Sequence, residues 1–229
     1  MSDIKTASVG FPANGVNGMG HLARPDDDAV HPAVIVIQEW WGLDDHIKSI
    51  ADRFAREGFV ALAPDLYHGE FATEPDEARK LVMNMNREQA IKDLLGSVTY
   101  LQSLPHVAPK KVGCIGFCMG GSMTLALAAA TADVAAAAPF YAGFQPPADE
   151  IAKIQAEMFC AFGADDGGIP IENVQKFEGV LKDSNRNAVV KLYDGAPHSF
   201  FNDTRDSYRP EAAKDAWERS LALFQRVLV

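Results

Sequence analysis

The segment from Lys111 to Ala130 constrains the fold of this chain more than any other. An apolar run, Lys111-Val112-Gly113-Cys114-Ile115, leads into Gly116-Phe117-Cys118-Met119-Gly120-Gly121, and an alanine-rich stretch follows from about Ser122. The run fits a buried strand and the alanines fit a helix, so the residues between them must turn the chain sharply. Glycines on both sides of Cys118 let the backbone bend and let helix and strand approach closely. One reactive side chain, Cys118, stands at the apex, and the first amides of the helix face whatever its sulfur attacks. The plainer reading is a buried structural cysteine in a glycine-rich turn.

Strand-like and helix-like segments alternate along the rest of the chain. Ala33-Val34-Ile35-Val36-Ile37 is a continuous, largely β-branched run, as a strand buried on both faces requires. Asp44 to Arg56 places Ile47, Ile50, Ala51 and Phe54 on one helical face, with Gly58 as a stop. Val60 to Ala63 reads as a strand ended by Pro64. Glu74 to Ser103 reads as a helical region broken near Asn84-Met85-Asn86. A strand over Ala135 to Phe140, another over Met158 to Phe162, a helix over Ile171 to Ser184, a strand over Ala188 to Tyr193 and a helix over Pro210 to Val227 complete the order. Residues 1 to 32 are polar, and Gly10, Gly15, Gly18 and Gly20 punctuate them like hairpins, which predicts short antiparallel edge strands. The alternation predicts one three-layer α/β domain over residues 1–229, with a mostly parallel sheet and helices on both faces. At 229 residues, 48% of them hydrophobic, the chain can bury a large core.

Two further loops fall just past predicted strands. One is Phe162-Gly163-Ala164-Asp165-Asp166-Gly167-Gly168-Ile169-Pro170; the other is Tyr193-Asp194-Gly195-Ala196-Pro197-His198-Ser199-Phe200. Loops at the carboxyl ends of parallel strands can converge. The chain order is then Cys118, an aspartate, His198, which is the nucleophile, acid, base order of α/β-hydrolases. His198 would take the thiol proton and later activate water, whereas the bland reading is an ordinary loop histidine. Either Asp165 or Asp166 could orient it, and spacing alone does not choose. Glu39 ends the first buried strand in Gln38-Glu39-Trp40-Trp41-Gly42; it is either part of the site or a solvated strand-end charge beside core tryptophans. In that layout the N–H groups of Trp40 and Met119 would form the oxyanion hole.

Composition removes several classes of partner. The formal net charge of −10 argues against nucleic acid and anionic membrane surfaces. Three cysteines, Cys114, Cys118 and Cys160, suit a reducing cytoplasm and not a disulfide framework. No Cys/His cluster has zinc-like spacing, so no metal is expected. Met1-Ser2-Asp3-Ile4-Lys5 lacks an apolar signal core, and the most apolar stretch, Thr124 to Phe144, carries Asp133 and Pro139, as a helix followed by a strand would. A nucleotide cradle over Gly113 to Gly121 is disfavoured, because Ser122 stands where a P-loop needs lysine. A lone domain with no obvious apolar patch is expected to be a monomer acting on a small molecule.

These residues resemble the dienelactone hydrolase family of α/β-hydrolases. The resemblance rests on Gln38-Glu39 with Gly42, Pro64-Asp65-Leu66-Tyr67, Gly116-Phe117-Cys118-Met119-Gly120-Gly121, Gly163 to Pro170, His198-Ser199-Phe200, and the tail from Asn202-Asp203 through Pro210 to Trp217. It implies Asp166 as the acid, since the family acid lies four residues before the proline. It implies that Glu39 contacts the nucleophile and accepts the thiol proton when substrate displaces it, that Cys118 forms an acyl-enzyme, and that no cofactor is used. The family reaction opens an enol-lactone, converting carboxymethylenebutenolide to maleylacetate. Members active on dienelactone hold its carboxylate with arginines, one of them four residues after the catalytic histidine; here that position is Asn202. The residues expected to face substrate are Ser199, Asn202, Arg205, Arg79 and Arg87. The alternative is a general carboxylesterase or thioesterase with a different acyl pocket.

Overall fold

The computed structural model describes residues 3–13, 15–184 and 186–229; Met1 and Ser2, at the head of the segment read for a leader, lie outside them. Strands β1 (Ile4–Ala13), β2 (Val16–Pro25), β3 (His31–Ile37), β4 (Val60–Pro64), β5 (Val107–Phe117), β6 (Val134–Phe140), β7 (Glu157–Gly163) and β8 (Ala188–Tyr193) form one sheet in the order β1-β2-β4-β3-β5-β6-β7-β8. From β4 across to β8 every pairing is parallel; β1 and β2 add antiparallel at one edge. The helices are α1 (Asp45–Arg56), α2 (Pro75–Asn84), α3 (Arg87–Ser103), α4 (Met119–Ala130), α5 (Ala148–Ile151), α6 (Ile171–Asp183) and α7 (Pro210–Leu228).

Consecutive residues of β5 face opposite layers, as the period of two in a strand requires. A side chain on Gly113 would meet Phe224 and Leu228 of α7, whereas Cys114 reaches Thr124 of α4 at 3.7 Å. On the α7 side, Phe54 of α1 packs on Trp217 and Phe224, with ring centroids 4.6 and 5.7 Å apart. Phe54 is fully buried, which contributes about 2–3 kcal/mol. The helical segment after β4 breaks where expected. Met85 ends α2 in an extended conformation, and the Asn86 side chain caps α3 by accepting the Gln89 N–H at 3.0 Å.

One expectation about the N-terminal region needs correction. The edge strands are not short: β1 and β2 each run ten residues and pair over their full length. Helix α5, four residues long, has no counterpart in the sequence reading.

Candidate active site

Cys118 sits between β5 and α4 with φ 57° and ψ −115°, a region that side-chain-bearing residues rarely enter. The flanking glycines make this turn possible by their size. A Cβ on Gly116 would lie 2.2 Å from the Gly120 carbonyl oxygen, one on Gly120 would lie 2.4 Å from the Gln38 carbonyl, and one on Gly121 would lie 2.3 Å from the Phe140 carbonyl. The elbow is thus wedged among the ends of β3, β5 and β6, and the Cys118 N–H donates to the Phe140 carbonyl at 3.1 Å. Of the three cysteines, Cys114 and Cys160 are fully buried. Burial pushes the Cys114 thiol up to about 12 and that of Cys160 further still. Cys118 alone is partly exposed.

The loops after β7 and β8 are laced together by Ala164 N–H to the Tyr193 carbonyl (2.9 Å) and Asp165 N–H to the Ala196 carbonyl (3.0 Å). This lacing sets Asp166 beside His198. Asp166 Oδ2 accepts from His198 Nδ1 at 2.6 Å, while its Oδ1 accepts the N–H groups of Gly168 (2.8 Å) and Ile169 (3.1 Å). Asp165 is exposed, whereas Asp166 is buried against His198. With Nδ1 committed to Asp166, the other ring nitrogen is left for the cleft that His198 shares with Cys118. Burial works against the imidazolium, but the hydrogen bonds to Asp166 and Cys118 and their charges outweigh it and push His198 up to about 10.

Glu39, at the end of β3, is 1% exposed. Its Oε1 accepts from the Tyr141 hydroxyl at 3.2 Å and the Ser199 hydroxyl at 3.0 Å, and its Oε2 accepts from Asn202 Nδ2 at 2.8 Å. Among the described residues no hydrogen bond joins Glu39 to Cys118. Burial, then the charges of Glu39 and Cys118, raise the Tyr141 phenol far above its ordinary value, which keeps it a donor. The Tyr67 phenol, also raised by burial and by Cys118, reaches the Trp40 carbonyl and Met119 Sδ, both at 3.3 Å. Among the described residues, no backbone carbonyl takes up the N–H of Trp40 or of Met119. A cleft of about 330 Å3 opens over Cys118 and His198, walled by Trp40, Trp41, Ser199, Arg205 and Ser207.

Residues 19–228 match the model of the dienelactone hydrolase family. The chain belongs to that family. A Synechocystis sp. protein named "Putative carboxymethylenebutenolidase" is 38% identical, with 99% of this chain and 98% of that protein covered. The crystal structure named as a putative dienelactone hydrolase from Klebsiella pneumoniae superposes with a TM-score of 0.91 at 30% identity, covering 98% of this chain and 99% of that one. A dienelactone hydrolase-like promiscuous phosphotriesterase from metagenomic libraries gives the same TM-score, 0.91, at 25% identity, covering 99% of both chains. The three-layer α/β-hydrolase fold expected from the sequence is therefore the fold observed.

Within this dienelactone hydrolase family member the residues expected to face substrate separate. Ser199 and Arg205 wall the cleft, and the Arg205 guanidinium lies over the Trp41 ring at 4.0 Å. Asn202 is fully buried and does not reach the cleft. Its Oδ1 accepts the Thr204 N–H (3.0 Å) and hydroxyl (2.6 Å), which turns its amide N–H toward Glu39. Arg79 is exposed on α2, and Arg87 lies over the Phe144 ring at 5.0 Å; neither lines the cleft. Tyr141 was not among the residues picked out from the sequence. It stands one residue past β6 and carries no motif; a phenol directly after a buried parallel strand was the only signal. Among the described residues no His, Cys, Asp or Glu side chains cluster as a metal site would require, and no helix is long and apolar enough to cross a membrane.

Proposed function

We propose that this protein hydrolyses a small carboxylic ester or enol-lactone through an acyl-enzyme on Cys118. The observation that carries this reading is the 2.6 Å contact between His198 Nδ1 and Asp166, which leaves the second imidazole nitrogen for the thiol at the apex of the elbow. The thiol proton passes to His198, and the sulfur attacks the carbonyl carbon. The carbonyl oxygen takes the negative charge between the N–H groups of Trp40 and Met119. Collapse breaks the ester C–O bond, the imidazolium returns its proton to the leaving oxygen, and a thioester remains. His198 then draws a proton from water, the hydroxide adds to the thioester, and the thiolate leaves as the acid is released. Asp166 holds the ring and balances its charge.

Arg205 is the cation in the cleft wall. Its guanidinium lies over the Trp41 ring at 4.0 Å, and its N–H donors suit a carboxylate, which supports an acidic lactone such as dienelactone. The burial of Asn202, where the family pattern has an arginine, favours the second reading, a carboxylesterase or thioesterase with a less polar acyl group. The protein is proposed to work in the cytoplasm as a monomer on a small molecule, without metal or organic cofactor, nucleic acid or membrane.

The test is turnover of cis- and trans-dienelactone and of p-nitrophenyl acetate by the wild type, Cys118→Ala and Arg205→Gln. Cys118→Ala is expected to lose ~1,000-fold or more on every accepted substrate. Arg205→Gln is expected to lose ~10-fold or more in kcat/KM on dienelactone and little on the acetate, as removal of one charge-assisted contact implies. Turnover of the acetate alone would move the function to the general esterase; turnover that survives Cys118→Ala would overturn the mechanism.

A further inference from the structure

We propose that the cavity between the turn after β4 and the junction of α2 and α3 is a second binding site, separate from the cleft over Cys118, for a small organic ammonium ion. The charged head takes Asp93 Oδ2, and a short aliphatic chain packs on Leu66, Leu81 and Met85. The inference stands independently of the reaction assigned to Cys118.

The cavity measures about 200 Å3 and shares no lining residue with the catalytic cleft. Leu66 and His68 reach it from the turn after β4, Leu81 and Met85 from α2 and its end, and Asp93 from α3. Asp93 is 1% exposed. Its Oδ1 accepts from Gln89 Nε2 at 2.8 Å, but its Oδ2 accepts no hydrogen bond among the described residues. His68 Nε2 stands 3.1 Å from Oδ2, near enough for an ion pair but without the alignment of a hydrogen bond. A buried carboxylate oxygen without a donor is costly, and an ammonium brings three donors.

The lining selects the ligand. Among the described residues no lysine or arginine faces the cavity, and Glu70 adds a second carboxylate, so an anion is repelled. Nor do three His, Cys, Asp or Glu side chains stand together there as a metal ion requires. Apolar walls favour carbon, so positive charge on a short apolar chain is what fits. His68 is the cover. It sits at φ 54°, a conformation that persists only where the surroundings enforce it. Asp65 enforces it by accepting the N–H groups of Tyr67 at 2.9 Å and Gly69 at 2.6 Å. The His68 side chain is 42% exposed, which leaves it room to turn outward and yield Oδ2 to a better donor.

The experiment is calorimetric titration of the full-length protein with n-butylammonium chloride at neutral pH and constant ionic strength, beside 1-butanol and sodium butyrate. Wild type is expected to bind butylammonium with a Kd of ~1–10 mM, as so small a ligand allows, and to bind both controls at least ~10-fold more weakly. Asp93→Asn keeps an acceptor for Gln89 and is expected to weaken binding ~10-fold or more, as loss of a charge-assisted contact implies. Leu81→Trp fills the cavity and is expected to abolish binding. His68→Ala removes the competitor for Oδ2 and is expected to tighten binding several-fold, a gain that a damaged fold does not produce. Denaturant melts verify that each variant folds; should Asp93→Asn not fold, Leu81→Trp and His68→Ala decide. Equal affinity for butanol, no saturation of wild type at ~50 mM butylammonium, an unchanged Kd in folded Asp93→Asn or Leu81→Trp, or weakened binding in His68→Ala would each overturn the proposal.

Discussion

Cys118, Tyr141 and Ser199 share a property that their sequence neighbours do not announce: each carries a side chain at positive φ, and each bears on the cleft or on Glu39. Holding a residue there costs of order 1–3 kcal/mol, so the packing around the site opposes a standing strain. Motif and strand-end position made Cys118 and His198 legible in the sequence, because both properties are local. Asp166 was singled out over Asp165 only through the family resemblance and its proline four residues on, whereas the donors around Glu39 are a matter of tertiary convergence and leave no trace in spacing. The raised value of His198 gives a pH prediction. Its folded value, about 10, exceeds its ordinary value of 6.5, so its contribution to stability is complete below about pH 6.5 and is lost as pH rises toward 10. Denaturant melts of wild type and His198→Gln should therefore differ most at or below pH 6.5 and converge by pH 10. For esters with poor leaving groups, kcat/KM should fall on the alkaline side near pH 10, where the ring no longer carries the proton it donates. A falling limb below pH 8 would contradict this.

At the scale of elements, the elbow works because β3, β5, β6 and α4 meet with no room for a methyl group. Gly121→Ala places a Cβ 2.3 Å from the Phe140 carbonyl, and backbone on both sides prevents relief. The expected result is destabilisation of about 3 kcal/mol or more, read by denaturant melts, with ester turnover falling further because α4 must shift its N-terminus away from the oxyanion position. The central elements were legible because strands buried on both faces are continuous apolar runs, α1 carries a clear apolar stripe and α4 is apolar all round: β3 and α1 fall where the sequence placed them. The N-terminal hairpin was underestimated for a physical reason. Most residues of β1 are exposed or half-buried, so little hydrophobic alternation marks its length. Helix α5 is too short to display a period at all.

At the scale of the whole molecule, α7 joins the site to the core. Trp217 packs on Phe54 of α1 at 4.6 Å, faces Phe201 of the His198 loop at 6.5 Å, and carries the Arg53 guanidinium over its ring at 4.1 Å. Trp217→Ala should cost about 3–5 kcal/mol, measured by chemical denaturation, and should reduce turnover by loosening the loop that presents His198. The hydrogen bond from Asn202 to Glu39 spans 163 positions of sequence, and it closes only when the chain that follows edge strand β8 returns to the end of central strand β3. The cleft is consequently a gauge of nativeness. A chain that loses the β8 flank of its sheet keeps Cys118 but not the loop that faces it, so heat inactivation and loss of far-ultraviolet ellipticity should share one midpoint. Partially unfolded copies would then be chemically quiet, their cysteine parted from its histidine.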